Sequence, residues 1–231
     1  MLKKIPQQKV LFLDIETVPE VSNWNELPDD WKSLWTKKIE RQLGEEETPE
    51  EFYGKRAGIL AEFGKIICIS CGIISEENKI RIKSFYGDNE SQILKEFNEM
   101  LSGKYFGPDF LLCAHNGKEF DFPFMARRMI INGIELPTAL NIQGKKPWEI
   151  PHLDTMELWK FGDYKHYTSL NLLAAVLDIP TPKDDIDGSQ VASVYYNDKD
   201  LERIKTYCEK DVLTVAQIFR KFRNETLLER E

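Results

Sequence analysis

From residue 10 the chain reads VLFLDIETVPE. In a strand, Val10, Phe12, Asp14 and Glu16 would share one face, and Leu11, Leu13 and Ile15 the other. Apolar side chains on both faces describe a strand buried on both sides, hence central in a sheet. Residues 22–63 change period. Trp31, Leu34, Trp35 and Ile39 recur at helical spacing, and Thr48, Pro49 and Glu51 read as N-cap, first-turn proline and capping-box partner. A two-helix insertion is predicted there. KIICISCGII and KIRIKSFYG read as a strand pair turning at 76–78. SQILKEFNEML is an amphipathic helix and DFLLCAH a short buried strand. FPFMARRMIINGI is a helix with Pro123 in its first turn and Gly133 at its C-cap. EIPHLDTM gives a short strand, SLNLLAAVL a helix capped by Thr168 or Ser169, and GSQVASVYYN another helix. KDLERIKTYCEKDVLTVAQIFRKFR is a long final helix. Strands alternating with helices after an antiparallel start predict an α/β fold with a mixed sheet.

Composition narrows this picture. The 231 residues, 42% hydrophobic and 30% charged, suit a single soluble globular domain over 1–231. No apolar run approaches the roughly 18 residues of a spanning helix. No leader is expected, and the cytoplasm is the expected compartment. Cys68 and Cys71 form a C-x-x-C inside a strand, on opposite faces and about 10 Å apart, too far for a disulfide. With Cys113 and Cys208 isolated in the sequence, buried reduced thiols are expected. The net charge of −8 argues against a bulk electrostatic grip on nucleic acid. Such a partner would need local cations.

Candidate chemistry starts with Asp14 and Glu16, about 7 Å apart along the strand. Like charges so placed repel, and a divalent cation such as Mg²⁺ or Mn²⁺ suits oxygen ligands of this kind. The alternative is a strand ending in a solvated acidic turn before Pro19. In the final helix Ile204, Cys208, Val215, Ile218 and Phe222 form the core stripe, with Asp211 in its middle and Tyr207 one turn earlier. A buried Asp211 needs a metal or a paired Arg or Lys. Asp121 sits between a strand and a helix, where capping is the commoner role. Asn116 fits a turn. LWKFGDYKHYTSL interleaves Trp159, Phe161, Tyr164 and Tyr167 with Lys160, Lys165 and His166, a pattern that stacks bases and binds phosphate, or one that packs its aromatics on the sheet. Lys118, Arg127, Lys160 and Lys165 are candidate phosphate contacts. Asp154, Asp178, Asp185 and Asp187 read as capping or loop residues.

Asp14-x-Glu16, then Asn116 with Phe120-Asp121, then Tyr207-x-x-x-Asp211 resembles the DEDDy 3′–5′ exonucleases of the DnaQ-like group. The H-N-x-x-x-F-D-x-P-F run and DDIDGSQV are most similar to the proofreading exonuclease domain of family B DNA polymerases. The resemblance implies an RNase H-like mixed five-stranded sheet flanked by helices, with 22–63 inserted after the first strand. It implies two divalent metal ions, Mg²⁺ or Mn²⁺. Asp14, Glu16 and Asp211 would hold one, and Asp14 and Asp121 the other, with Tyr207 positioning the attacking water. Thr17, Asn116, Phe120, Lys118 and Lys160 are the implied substrate contacts. Thr206 stands where the sister branch carries a histidine. The expected partner is a single-stranded DNA 3′ end, or RNA, with a polymerase or repair protein alongside. A catalytically silent binding module and a phosphatase are the rivals; the complete set of acids disfavours the first, and D-x-E in place of D-x-D the second.

Overall fold

The computed structural model describes residues 2–44, 46–76, 78–107, 109–163, 167–180 and 186–231. In chain order it has β1 (Val10–Pro19), α1 (Asp29–Ile39), α2 (Pro49–Arg56), β2 (Gly64–Glu76), β3 (Lys79–Tyr86) and α3 (Glu90–Leu101). β4 (Leu111–Ala114), α4 (Asp121–Ile131), β5 (Leu153–Asp154), α5 (Thr155–Lys160) and α6 (Leu170–Val176) follow. The last elements are α7 (Val191–Ser193), α8 (Leu201–Phe222) and β6 (Glu229–Arg230). The sheet order is β5-β4-β1-β2-β3-β6, with β1–β2–β3 antiparallel and β4 and β5 parallel to β1. β6 adds a two-residue sixth strand beside β3. It is too short and too polar to carry a periodic signal.

β1 is central and buried on both faces, as its pattern predicts. Leu11, Leu13 and Ile15 pack with α3 and α4 through Leu94, Phe97, Phe122 and Met125. Val10 and Phe12 pack with Val212, Val215 and Phe219 of α8. Phe12 meets Phe219 edge-on, ring centroids 5.3 Å apart. Each such fully buried side chain contributes about 1.5–3 kcal/mol. α8 is therefore fastened along the face that carries Asp14 and Glu16. Cys68 and Cys71 lie in the clusters on opposite faces of the sheet, and all four cysteines are free and buried.

The insertion closes on a core of its own, built from Leu27, Trp35, Ile39, Phe52, Tyr53, Ala57 and Phe63. Trp35 donates its indole N–H to the Pro49 carbonyl at 2.9 Å. The Thr48–Glu51 capping box forms as predicted. The α1 stripe is narrower than its spacing suggested. Trp35 and Ile39 are buried, whereas Trp31 and Leu34 are 41% and 55% exposed, because a two-helix unit shields only one edge of α1. Ser169 caps α6. α7 widens after one turn into a π-turn over Val194–Asp198. Among the described residues no helix is long and apolar enough to cross a membrane.

Candidate active site

β4 accompanies β1 only from Val10 to Phe12, while β2 stays paired with it to Pro19. The two parallel strands thus part near their carboxyl ends, which is where open α/β sheets leave a crevice. A bulge falls between Glu16 and Thr17; such irregularities re-aim side chains. Asp14 and Glu16 stand in this opening. Their carboxyl oxygens and Cys208 Sγ all lie within 4.8 Å of one another. The Cys208 thiol is 3.4 Å from both the Asp14 carbonyl oxygen and Oδ2. Burial, then the charges of Glu16, Asp211 and Asp121, hold the Asp14 carboxyl well above its ordinary range, with the Cys208 hydrogen bond opposing. Glu16 is raised by burial, then by Asp211, Cys68 and Asp121.

Asp121 opens α4 and is buried. Burial lifts its carboxyl to about 7, against hydrogen bonds from its own amide and from the Ile15 amide. It therefore reaches back to the backbone between Asp14 and Glu16. The loop that delivers it is organised by Asp154. Asp154 Oδ1 accepts from the amides of Asn116 (3.0 Å), Met156 (2.9 Å) and Glu157 (3.2 Å), and Oδ2 from Lys118 (3.1 Å). The capping role read for Asp154 holds for α5 and extends to the loop. Asn116 adopts φ 62°, and its Oδ1 is buried without a hydrogen-bond partner among the described residues. Gly117 is obligatory here, since a Cβ would meet that of Ala114 at 2.4 Å. His115 bridges Thr155 Oγ1 (2.9 Å) and the Thr168 carbonyl (2.8 Å).

α8 supplies Tyr207, Cys208 and Asp211. Ile204, Cys208, Val215 and Ile218 are fully buried and Asp211 nearly so, in keeping with the predicted stripe. Burial foremost, then the charges of Asp211, Glu16 and Asp14, raises the Tyr207 phenol far above its ordinary range, and its hydroxyl is hydrogen-bonded to Asp211. Asp14, Glu16, Asp121 and Asp211 therefore sense one another, although among the described residues only Asp14 and Glu16, with Cys208, form the tight donor group. Two carboxyls and a thiol crowded together in this opening are a donor set that a divalent cation satisfies.

Of the remaining candidates, Thr17 and Phe120 line one groove with Glu16. Thr17 follows the bulge, and Phe120 is half-buried with its ring 5.3 Å from that of Phe124. Lys118 Nζ is paired with Glu157 at 2.6 Å. Lys160 ends α5 and Arg127 lies on the exposed face of α4. Trp159 stacks on Phe222 at 6.1 Å, toward the far end of α8 from Asp211. Phe161 and Tyr167 are exposed. Tyr164, Lys165, His166 and Asp185 lie outside the described residues. Sequence reasoning missed Cys208, which it treated as isolated although it shares the stripe of Asp211.

The sheet order, the acids at the end of its central strand and the late helix across them define an RNase H-like α/β domain. The chain belongs to the family described as predicted 3′–5′ exonucleases related to the exonuclease domain of PolB, whose model matches residues 59–227. It is 24% identical over 147 residues to a DNA polymerase of Pyrococcus glycovorans, a match covering 58% of this chain and 18% of that protein. Its fold matches that of the family B DNA polymerase from the hyperthermophilic archaeon Pyrobaculum calidifontis with a TM-score of 0.55 and 14% identity, over 90% of this chain and 23% of that one. The chain thus spans under a quarter of the length of these polymerases.

Proposed function

We propose that the protein is a metal-dependent 3′–5′ exonuclease that hydrolyses the terminal phosphodiester bonds of single-stranded DNA. The observation that carries this is the meeting of Asp14 and Glu16 with Asp121 and Asp211 at the open end of β1, with burial and mutual charge as the main causes of the raised carboxyls. In this reading Asp14, Glu16 and Asp211 hold one Mg²⁺ or Mn²⁺, and Asp14 with Asp121 the other. Bound cations would supply an activated water and stabilise the leaving oxygen. Tyr207, kept protonated, orients that water as a hydrogen-bonding group and not as a base. In this reading Asn116 turns toward a bound nucleotide. Thr17 and Phe120 lie beside it in the same reading, and Lys118 and Lys160 contact phosphate, Lys118 by exchanging Glu157 for it. DNA is the favoured substrate because the matched relatives are DNA polymerases. A polymerase or repair partner, in the cytoplasm, completes the proposal.

The test uses 5′-labelled single-stranded DNA and RNA of one sequence, with Mg²⁺, Mn²⁺ or EDTA. A ladder shortening from the 3′ end, faster on DNA and absent in EDTA, is expected. Full activity in EDTA, or equal cutting of circular DNA, overturns the proposal; faster RNA shortening reassigns the substrate.

A further inference from the structure

A groove of about 350 Å³ opens beside Glu16. Its lining comes from four stretches: the end of β1, Phe120 ahead of α4, the exit of the insertion with Lys55 and Ile59, and the approach to α7 with Ser189. The volume falls within the range of about 300–1,000 Å³ typical of small-molecule sites. Lys55 lies before the residues matched by the family model, and Ile59 is the first of them.

The insertion side of this groove is fixed in place. A Cβ on Gly64 would meet the Gly58 carbonyl oxygen at 2.7 Å and that of Ala57 at 2.9 Å. Only glycine lets the exit turn sit this close on the start of β2. The Glu20 amide donates to the Phe63 carbonyl at 2.7 Å, tying the same stretch to the end of β1. On this fixed wall Ile59 stands 42% exposed, an apolar side chain directed to the groove instead of to either core. Lys55 is paired with Glu47 at 2.7 Å, on a side chain that is 62% exposed. An exposed pair of that kind contributes little, so a phosphate can replace the carboxylate. Apolar area, one cation and an adjoining carboxylate site match the base, the phosphate and the reacting end of a nucleotide.

We infer that the insertion supplies one wall of the site for the terminal nucleotide, Ile59 lying against its base and Lys55 meeting its phosphate. This rests on the exonuclease reading given above. α2 and the turn that follows it, and not the Trp31 face of α1, are thus the parts of the insertion that meet substrate.

Two oligonucleotides test this, one ending in an ordinary 3′ nucleotide and one in an abasic sugar. Ile59→Ala should raise KM for the ordinary end about tenfold while kcat moves by less than about twofold. KM for the abasic end should stay put, and Ile59→Val should recover most of the loss. Lys55→Gln should raise KM for both ends, more at low salt than at high. An unchanged KM in Ile59→Ala, or an equal rise on both substrates, overturns the inference while leaving the exonuclease reading standing. A wild-type protein that shortens neither oligonucleotide overturns both.

Discussion

Two regions of this molecule bury carboxylates and treat them in opposite ways. Glu90, at the start of α3, accepts from Arg128 Nε at 2.8 Å and Nη2 at 2.5 Å, from Asn132 Nδ2 at 2.9 Å and from the Ile66 amide at 2.7 Å. Arg128 in turn donates to the Ala61 carbonyl at 2.9 Å and to Glu20 at 3.0 Å. The chain completes that cluster by itself, and it joins α3, α4, β2 and the insertion. At Asp14 and Glu16 the governing influences are burial, other carboxyls and neighbouring thiols, with no lysine or arginine among them in the described residues. Removing charge from water is costly unless a partner answers it. A buried acid that the chain satisfies is a joint. Buried acids set against one another mark a place where a cation from outside completes the structure.

The largest effect should come from Asp14→Asn, which should cut 3′-end hydrolysis about ten-thousandfold, by analogy with removing one member of a catalytic unit. Retention of even a tenth of the activity would remove Asp14 from the site. Arg128→Met strands Glu90 and should cost about 3–5 kcal/mol in urea unfolding; a loss near zero would erase the contrast between the two regions. Mn²⁺ at a hundredfold excess over its Kd should add about 2.7 kcal/mol to the wild type. Asp14→Asn should respond less to Mn²⁺ and, in EDTA, should unfold at a higher temperature than wild type, because it removes one of the repelling charges. Destabilisation of the metal-free protein by this substitution would break the comparison. Tyr207→Phe should lower kcat about tenfold and leave Mn²⁺ affinity unchanged; an equal loss in both makes the phenol a ligand.

The smallest effect concerns His152, a buried titratable group that the chain satisfies in its neutral form. Its Nδ1 accepts from the Leu112 amide at 3.2 Å, leaving Nε2 to donate to the Ala139 carbonyl at 2.7 Å. Burial holds its pKa below the ordinary value. The unfolded chain therefore takes up the proton first as pH falls. His152 stabilises fully above about pH 6.5, and that contribution shrinks as pH drops toward the folded pKa, by at most about 1.4 kcal/mol per pH unit. His152→Gln should lose this part of the acid slope in thermal melts between pH 7.5 and 5. Identical slopes in the two proteins would show that the imidazole charges freely when folded.

How much of this was legible in the sequence depended on range. Period two put Asp14 and Glu16 on the face that α8 covers, and period 3.6 put Asp211 in the middle of the α8 stripe, because both follow from local geometry. The strand and helix order gave the sheet class for the same reason. What failed needed partners far along the chain. Asp154 does cap α5, as read, but its further grip on Asn116 and Lys118 depends on β5 lying beside β4. Cys208 looked inert because nothing nearby in sequence marks the Asp14 thiol contact, made across 194 positions. Leu34 shares the α1 spacing of Trp35 and Ile39, yet the insertion leaves it 55% exposed.

The separate core of the insertion has a kinetic consequence. Cooperative opening follows contiguous packing, and the cluster around Trp35 is distinct from those on the two faces of the sheet. Amides of α1 and α2 should exchange with solvent as one unit, ahead of those in β1 and α8. The joint at Gly64 is where that loosening should stop.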